Sequence, residues 1–180
     1  MADIDRPVLF AVVRAIFVLA VAILVGFLVS PLVRADAGCV PTPSASSPAA
    51  LTGWTEAQIA NARLIVTAGA GRGIPERGLV IAVATAMQES GLRNLRGGDR
   101  DSIGLFQQRP SQGWGTPSQL RDPAYQTGRF FDKLLTIDGW QKMRLTDAAQ
   151  AVQVSAYPEA YAKHTGEATH LVEALSATSC

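Results

Sequence analysis

Apolar and polar positions divide the chain into three stretches of different character. From Ala15 to Val33 every residue is uncharged, a run of nineteen residues that ends on Ser30-Pro31-Leu32-Val33. Residues 41–48 read Pro-Thr-Pro-Ser-Ala-Ser-Ser-Pro, with no side chain suited to a core. That composition predicts a stiff spacer. Beyond residue 50 the apolar residues recur every three to four positions, the period of a helix with one buried face.

Five helices are expected in this third stretch. Thr55 followed by Gln58 forms a capping box, and Ile59, Ala62, Ile65 and Val66 make one stripe behind it. Gly69, Gly71 and Gly73 end that helix; no Lys-Ser or Lys-Thr follows them, so they read as a cap and turn rather than a phosphate loop. Pro75 opens a second helix that runs to about Ser90. Asp122-Pro123 is an N-cap and first-position pair, predicting a helix through Phe130, Phe131, Leu134, Leu135 and Ile137. Thr146 is expected to cap Asp147 to Ser155, and Glu167 to Leu175 forms a last amphipathic helix. Asn94 to Thr116 is rich in glycine and turns, with room for a short hairpin.

Composition changes the picture at the N-terminus. Residues 1–37 hold 27 of the hydrophobic residues, with Arg6 and Arg14 ahead of the apolar run and Ala35-Asp36-Ala37 behind it. That order predicts a signal peptide cleaved after Ala37, or an uncleaved N-in membrane anchor. Either places the rest of the chain outside the cytoplasm, secreted or held at the cell membrane. Residues 38–50 are then a linker and residues 51–180 one domain. Ala37-Gly38-Cys39 has the outline of a lipidation site, but Asp36 stands where an aliphatic residue is wanted and Arg34 interrupts the approach. Cys39 and Cys180 are the two cysteines. Outside the cytoplasm they are expected to pair, closing nearly the whole domain for about 4–5 kcal/mol in the chain-entropy model. Free or intermolecular thiols are the alternative. The formal net charge is +1, and losing residues 1–37 removes three Arg and three Asp, which leaves it unchanged. So even a balance does not suit a nucleic-acid binder.

The second helix carries the candidate chemistry. From Gly78 to Met87 it is apolar on every face except at Thr85, which predicts a central helix surrounded by others. It closes on Gln88-Glu89-Ser90, and Glu89 lies above Ala82, Thr85 and Ala86, all small. Partial burial and the negative end of the helix both disfavour the anion there. A raised pKa follows, which suits a general acid. An ordinary surface glutamate at a fraying helix end is the plainer alternative.

Glu89-Ser90-Gly91-Leu92 is followed by Asp101-Ser102-Ile103-Gly104-Leu105-Phe106-Gln107-Gln108. This pair of motifs resembles the lytic transglycosylases of the lysozyme-like superfamily, including soluble lytic transglycosylases and relatives of resuscitation-promoting factors. In that family a Glu-Ser pair closes the central helix, a Ser-x-x-Gly-Leu-(Met/Phe)-Gln segment lines the cleft, and a later Ala-Tyr element faces the glutamate. Ser102, Gly104, Leu105, Phe106 and Gln107 match the middle motif, with one residue fewer before the glycine. Ser155-Ala156-Tyr157 matches the third, with Pro158 where the family has Asn. The resemblance covers about residues 55–162.

It implies a mainly α, lysozyme-like fold and cleavage of peptidoglycan glycan strands by a monomer. Glu89 would protonate the oxygen between N-acetylmuramic acid and N-acetylglucosamine, then take the proton from the muramic C6 hydroxyl, leaving a 1,6-anhydro end. Neither metal nor cofactor is implied. Ser102 and Gln107 would bind sugar or fix Glu89, Phe106 would line the cleft, and Tyr157 would sit at the carboxylate. A lysozyme-type hydrolase would need a second carboxylate, for which Asp99 and Asp101 are the nearest candidates. Turn chemistry in their own loop is the other reading of those aspartates. A wall-binding module without catalysis is a further alternative.

Four arginines, Arg93, Arg96, Arg100 and Arg109, gather around the motif loop. They would meet the carboxylates of peptidoglycan stems or balance Asp99 and Asp101. Trp114, in a loop of Gly113 and Gly115, offers a face for sugar stacking. Trp54 and Trp140 are expected in the core, and His164 and His170 show no metal spacing.

Overall fold

A computed structural model describes residues 51–155 and 157–177. The leader, the linker and both cysteines lie outside these described residues. The described part is mainly helical: α1 (Glu56–Ala70), α2 (Glu76–Ser90), α3 (Pro123–Leu135), α4 (Leu145–Gln153) and α5 (Thr165–Ala177). Short 3₁₀ turns occupy Pro110–Gln112, Gln119–Arg121 and Trp140–Lys142, and a longer 3₁₀ segment spans Pro158–His164. No described helix is both long and apolar enough to cross a membrane.

Local signals set most of these boundaries. The Thr55 hydroxyl accepts the Gln58 N–H at 3.3 Å while the Gln58 side chain accepts the Thr55 N–H at 3.0 Å, the reciprocal pair of a capping box. The Asp122 carboxylate accepts the Ala124 N–H at 2.8 Å, with Pro123 in the first turn. Pro75 sits one position earlier than expected, as the N-cap of α2. The helix α3 stops at Leu135, where the Thr136 hydroxyl donates to the Lys133 carbonyl at 2.7 Å, so Ile137 falls outside it.

Two expectations are corrected. Thr146 does not cap the fourth helix. Arg144 precedes α4 and grips Asp147 with Nε and Nη2 at 2.9 and 2.7 Å, so the helix starts at Leu145. Thr146 lies inside the first turn, and its hydroxyl donates to the Pro158 carbonyl. The hairpin reduces to one antiparallel bridge between Ile103 and Gln108. The four residues between them turn inward, burying Leu105 and Phe106 in the core, so no strand can extend.

The core surrounds α2. Every residue from Gly78 to Met87 is buried, and α2 packs on all four other helices and on the 158–164 segment. The expectation of a central helix holds for that reason: no face of α2 is polar enough to be left in water. Phe106 stacks on Phe130 with centroids 4.7 Å apart, and Phe130 meets Phe131 edge-on at 5.8 Å. Trp140 is buried and Trp54 packs on the core's edge.

Candidate active site

The end of α2 is fixed by backbone geometry. Gly91 adopts a left-handed conformation (φ 61°), its N–H returns to the Met87 carbonyl, and the Leu92 N–H reaches the Ala86 carbonyl at 3.1 Å. This is the pattern that glycine permits at a helix C-terminus. It leaves Glu89 in the last turn, with Ser90 turned inward.

Ser90 ties this end to the motif loop. Its hydroxyl lies 2.8 Å from the Leu105 carbonyl and 3.1 Å from that of Ala86, and it accepts the Arg93 N–H at 3.1 Å. The loop is held again from α3. Gln126, fully buried, accepts the Phe106 N–H at 3.1 Å and donates to the Leu120 carbonyl. A Cβ at Gly104 (φ 80°) would stand 1.6 Å from the Gln126 amide nitrogen, so only glycine passes there. A third tie comes from α4, where Gln153 donates to the Phe106 carbonyl at 2.7 Å.

Glu89 stands among these ties. The Tyr161 hydroxyl donates to Glu89 Oε1 at 2.8 Å, and the Gln153 side chain also hydrogen-bonds the carboxylate. Burial raises the Glu89 pKa, and the bonds from Tyr161 and Gln153 only partly offset it. The expected direction is therefore seen, with burial as its leading cause. Tyr161 is itself buried; burial and then the Glu89 charge push its phenol up, so it stays a proton donor in the hydrogen bond. A bond from Ser155 acts against that shift. Beside this pair, His164 Nε2 lies 3.1 Å from Gln88 Oε1, and burial, then the Lys163 charge, lowers its pKa.

Several site expectations are met differently. Tyr157 does not reach Glu89: it is 75% exposed, and the tyrosine on the carboxylate is Tyr161. Pro158 opens the 3₁₀ segment immediately after Tyr157, and that segment carries Tyr161 inward. Phe106 is no cleft residue, because its ring is fully buried against Phe130. Gln107 turns its amide to its own loop, donating to the Gly104 carbonyl at 3.0 Å with its amide oxygen over Gly98. Ser102 is buried in the turn that its N–H closes on the Asp99 carbonyl. Trp114 is half-buried on the core's edge and shares a cavity wall with Gln153.

The arginines divide their roles. Arg109 pairs with Asp101 at 2.6 Å, and Ser111 adds its backbone N–H at 2.8 Å and its hydroxyl at 3.1 Å. These bonds, the Ser111 backbone first, hold the Asp101 carboxyl far below the usual range. Asp99 is exposed, 3.9 Å from the Arg100 Nε. Asp101 therefore holds its own loop, while the Asp99 side chain stands in solvent and only its backbone carbonyl closes the turn, accepting the Ser102 N–H. Arg93 donates to the Ser90 carbonyl at 3.0 Å.

Sequence reasoning missed Gln153, Tyr161 and Gln126. For Tyr161 a signal existed: Ala160-Tyr161 repeats the Ala-Tyr pair four residues after Ala156-Tyr157. A glutamine at a helix end carries no such mark. Among the described residues no group of three His, Cys, Asp or Glu side chains could hold a metal ion. No protein-family model matches the sequence, and no curated protein is similar enough to count as a match.

Proposed function

We propose that the chain is a peptidoglycan lytic transglycosylase of the lysozyme-like kind, exported or membrane-anchored, with Glu89 as its one catalytic acid and base. The observation that carries this reading is the setting of Glu89: a carboxyl raised by burial at the end of the central helix, oriented by Tyr161 and Gln153. A raised pKa favours the protonated carboxyl, the form that can give its proton to a glycosidic oxygen. Once ionised, it accepts a bond from the Tyr161 hydroxyl, which steadies the anion until it takes a proton back.

The same carboxylate then serves as base toward the muramic C6 hydroxyl, which closes on the anomeric carbon. The glycosidic bond breaks and the C6–O–C1 bond forms; Glu89 gives its proton to the leaving sugar's oxygen and regains one from the C6 hydroxyl. One carboxylate suffices for that cycle. The inverting and retaining hydrolases need two. Engagement of Asp101 by Arg109 and Ser111 favours the single-carboxylate route over a hydrolase.

Digestion of purified peptidoglycan, with mass spectrometry of the products, tests this. Anhydro-muramic ends from the wild type and none from Glu89→Gln are expected. Reducing ends that have gained water would make the enzyme a muramidase. Binding without release of fragments by the wild type would leave a wall-binding module.

A further inference from the structure

A cavity of about 570 Å³ opens beside Gln153, the residue that bonds both Glu89 and the motif loop. Its walls include Trp114, Val154, Arg129, Asp132 and Lys133. The charges there do not cancel. Asp132 is already taken by Arg72, which approaches to 2.6 Å and also bonds the Gly128 carbonyl at 2.9 Å. Arg129 Nη1 stands 3.7 Å from Asp132, beyond hydrogen-bond length, and its buried Nε has no acceptor among the described residues. Lys133 has no ion pair among the described residues. Two cations thus face a cavity whose single acid is neutralised from outside it.

The apolar side of the cavity is as pointed. Val154 is a β-branched residue in the left-handed region (φ 52°, ψ 47°) and is 79% exposed. Such a residue is strained there, and an exposed cap would be better served by Gly or Asn. The strained backbone keeps an apolar side chain at the cavity, which Trp114 also lines. An aromatic ring and an aliphatic group suit the C–H face of a sugar, and Arg129 and Lys133 suit an acid attached to it.

We propose that this cavity is a subsite for a carboxylate-bearing part of the glycan strand, with Arg129 and Lys133 pairing with the carboxylate and Trp114 and Val154 bracing the sugar. The inference rests on the glycosidase reading of Glu89 and adds a charge preference to it. The carboxylate belongs either to the lactyl group of a muramic residue freed of its peptide or to the stem peptide itself.

The test is binding by calorimetry in a Glu89→Gln background, which blocks turnover, using three probes. These are glycan strands with stems, strands stripped of stems so that lactyl carboxylates are free, and neutral chitotetraose. At least one acidic strand should bind about tenfold more tightly than chitotetraose, as a charge-assisted pair provides, and the tighter arm names the source of the carboxylate. Arg129→Gln with Lys133→Gln should bring that ratio to about one while leaving chitotetraose unchanged. Lys133 also lies in the last turn of α3, where a cation steadies the helix, so Tm is followed alongside. Lys133→Gln alone, and Arg129→Lys, keep the test open if the double variant is poorly folded. The first should reduce the ratio and the second should largely retain it. A wild-type preference that the substitutions leave intact, or no preference at all, overturns the proposal. Failure of the glycosidase reading is seen separately, as the absence of anhydro ends from the wild-type enzyme.

Discussion

Glu89 and Asp101 are carboxylates twelve positions apart in sequence whose surroundings push them in opposite directions. Glu89 closes a helix buried on every side; its two side-chain partners, Tyr161 and Gln153, do not outweigh the loss of water, and its pKa rises. Asp101 sits at the surface with Arg109 and Ser111 gathered around it, and its pKa falls. The difference teaches that hydrogen bonds alone do not decide a carboxyl's proton. Both groups accept them, and burial decides which one has its pKa raised. One carboxyl is therefore fitted to give up a proton during a reaction, and the other to hold a loop.

The sharpest way to break this contrast is to neutralise each group in turn. Glu89→Gln should lower the rate of glycan cleavage by about 10²–10⁴-fold, the usual contribution of a positioned acid and base. Asp101→Asn should cut at nearly the wild-type rate. Release of soluble fragments from labelled peptidoglycan measures both. A large loss in the Asp101 variant, with fold retained, would return Asp101 to the site as the second carboxylate of a hydrolase.

Next in size is Gly104→Ala. A Cβ at φ 80°, 1.6 Å from the Gln126 amide, must displace the side chain that holds the Phe106 N–H. Strain and overpacking together should cost about 2–4 kcal/mol, read as a fall in the midpoint of urea unfolding. Gly97→Ala serves as the control, since nothing lies within reach of a Cβ there.

These contacts also mark where the sequence is legible and where it is not. The caps at Thr55 and Asp122 are local, each built from residues two or three apart, and the helices began where those residues said. The central placement of α2 follows from a helix that has no polar face to expose. The tyrosine at Glu89 is another matter, for that bond spans 72 residues of chain. Two Ala-Tyr pairs compete for it, and Pro158 settles the choice by opening the 3₁₀ segment that carries Tyr161 inward. Phe106 shows the same limit: a Leu-Phe pair next to a cleft motif serves equally for a cleft wall or a core, and only Phe130 on α3 decides.

The choice between the tyrosines leads to a third comparison. Tyr161→Phe removes the donor on Glu89 Oε1 with little change of shape. That bond lowers the Glu89 pKa, so its loss should raise it further and move the alkaline limb of the activity profile to higher pH. Cleavage should fall about tenfold, the effect of losing one bond to a charged group. Tyr157→Phe should change neither the rate nor the pH profile, as its side chain is mostly in solvent.

The smallest effect is the most diagnostic, because it has opposite signs at the two carboxyls. A raised folded-state pKa means that folding opposes ionisation of Glu89. The stability this costs appears as pH rises above the unfolded-state value, near 4.3, and grows until the folded protein itself ionises. Glu89→Gln escapes that cost, so at pH 7 its Tm should exceed the wild-type value. The gain should vanish below about pH 4, where wild-type Glu89 is protonated in both states. A lowered pKa reverses the sign. Asp101 stabilises the folded chain above its unfolded-state value, near 3.9, and that stability is lost as pH falls toward the lower folded-state value. Asp101→Asn should therefore melt below the wild type at pH 7, by less than the Glu89 gain because the group is solvent-screened, and approach it on acidification. Melting curves at pH 7 and pH 3 for both variants decide the matter. Two Tm shifts of the same sign at pH 7 would mean that the surroundings of Glu89 and Asp101 do not differ in the way their geometry requires.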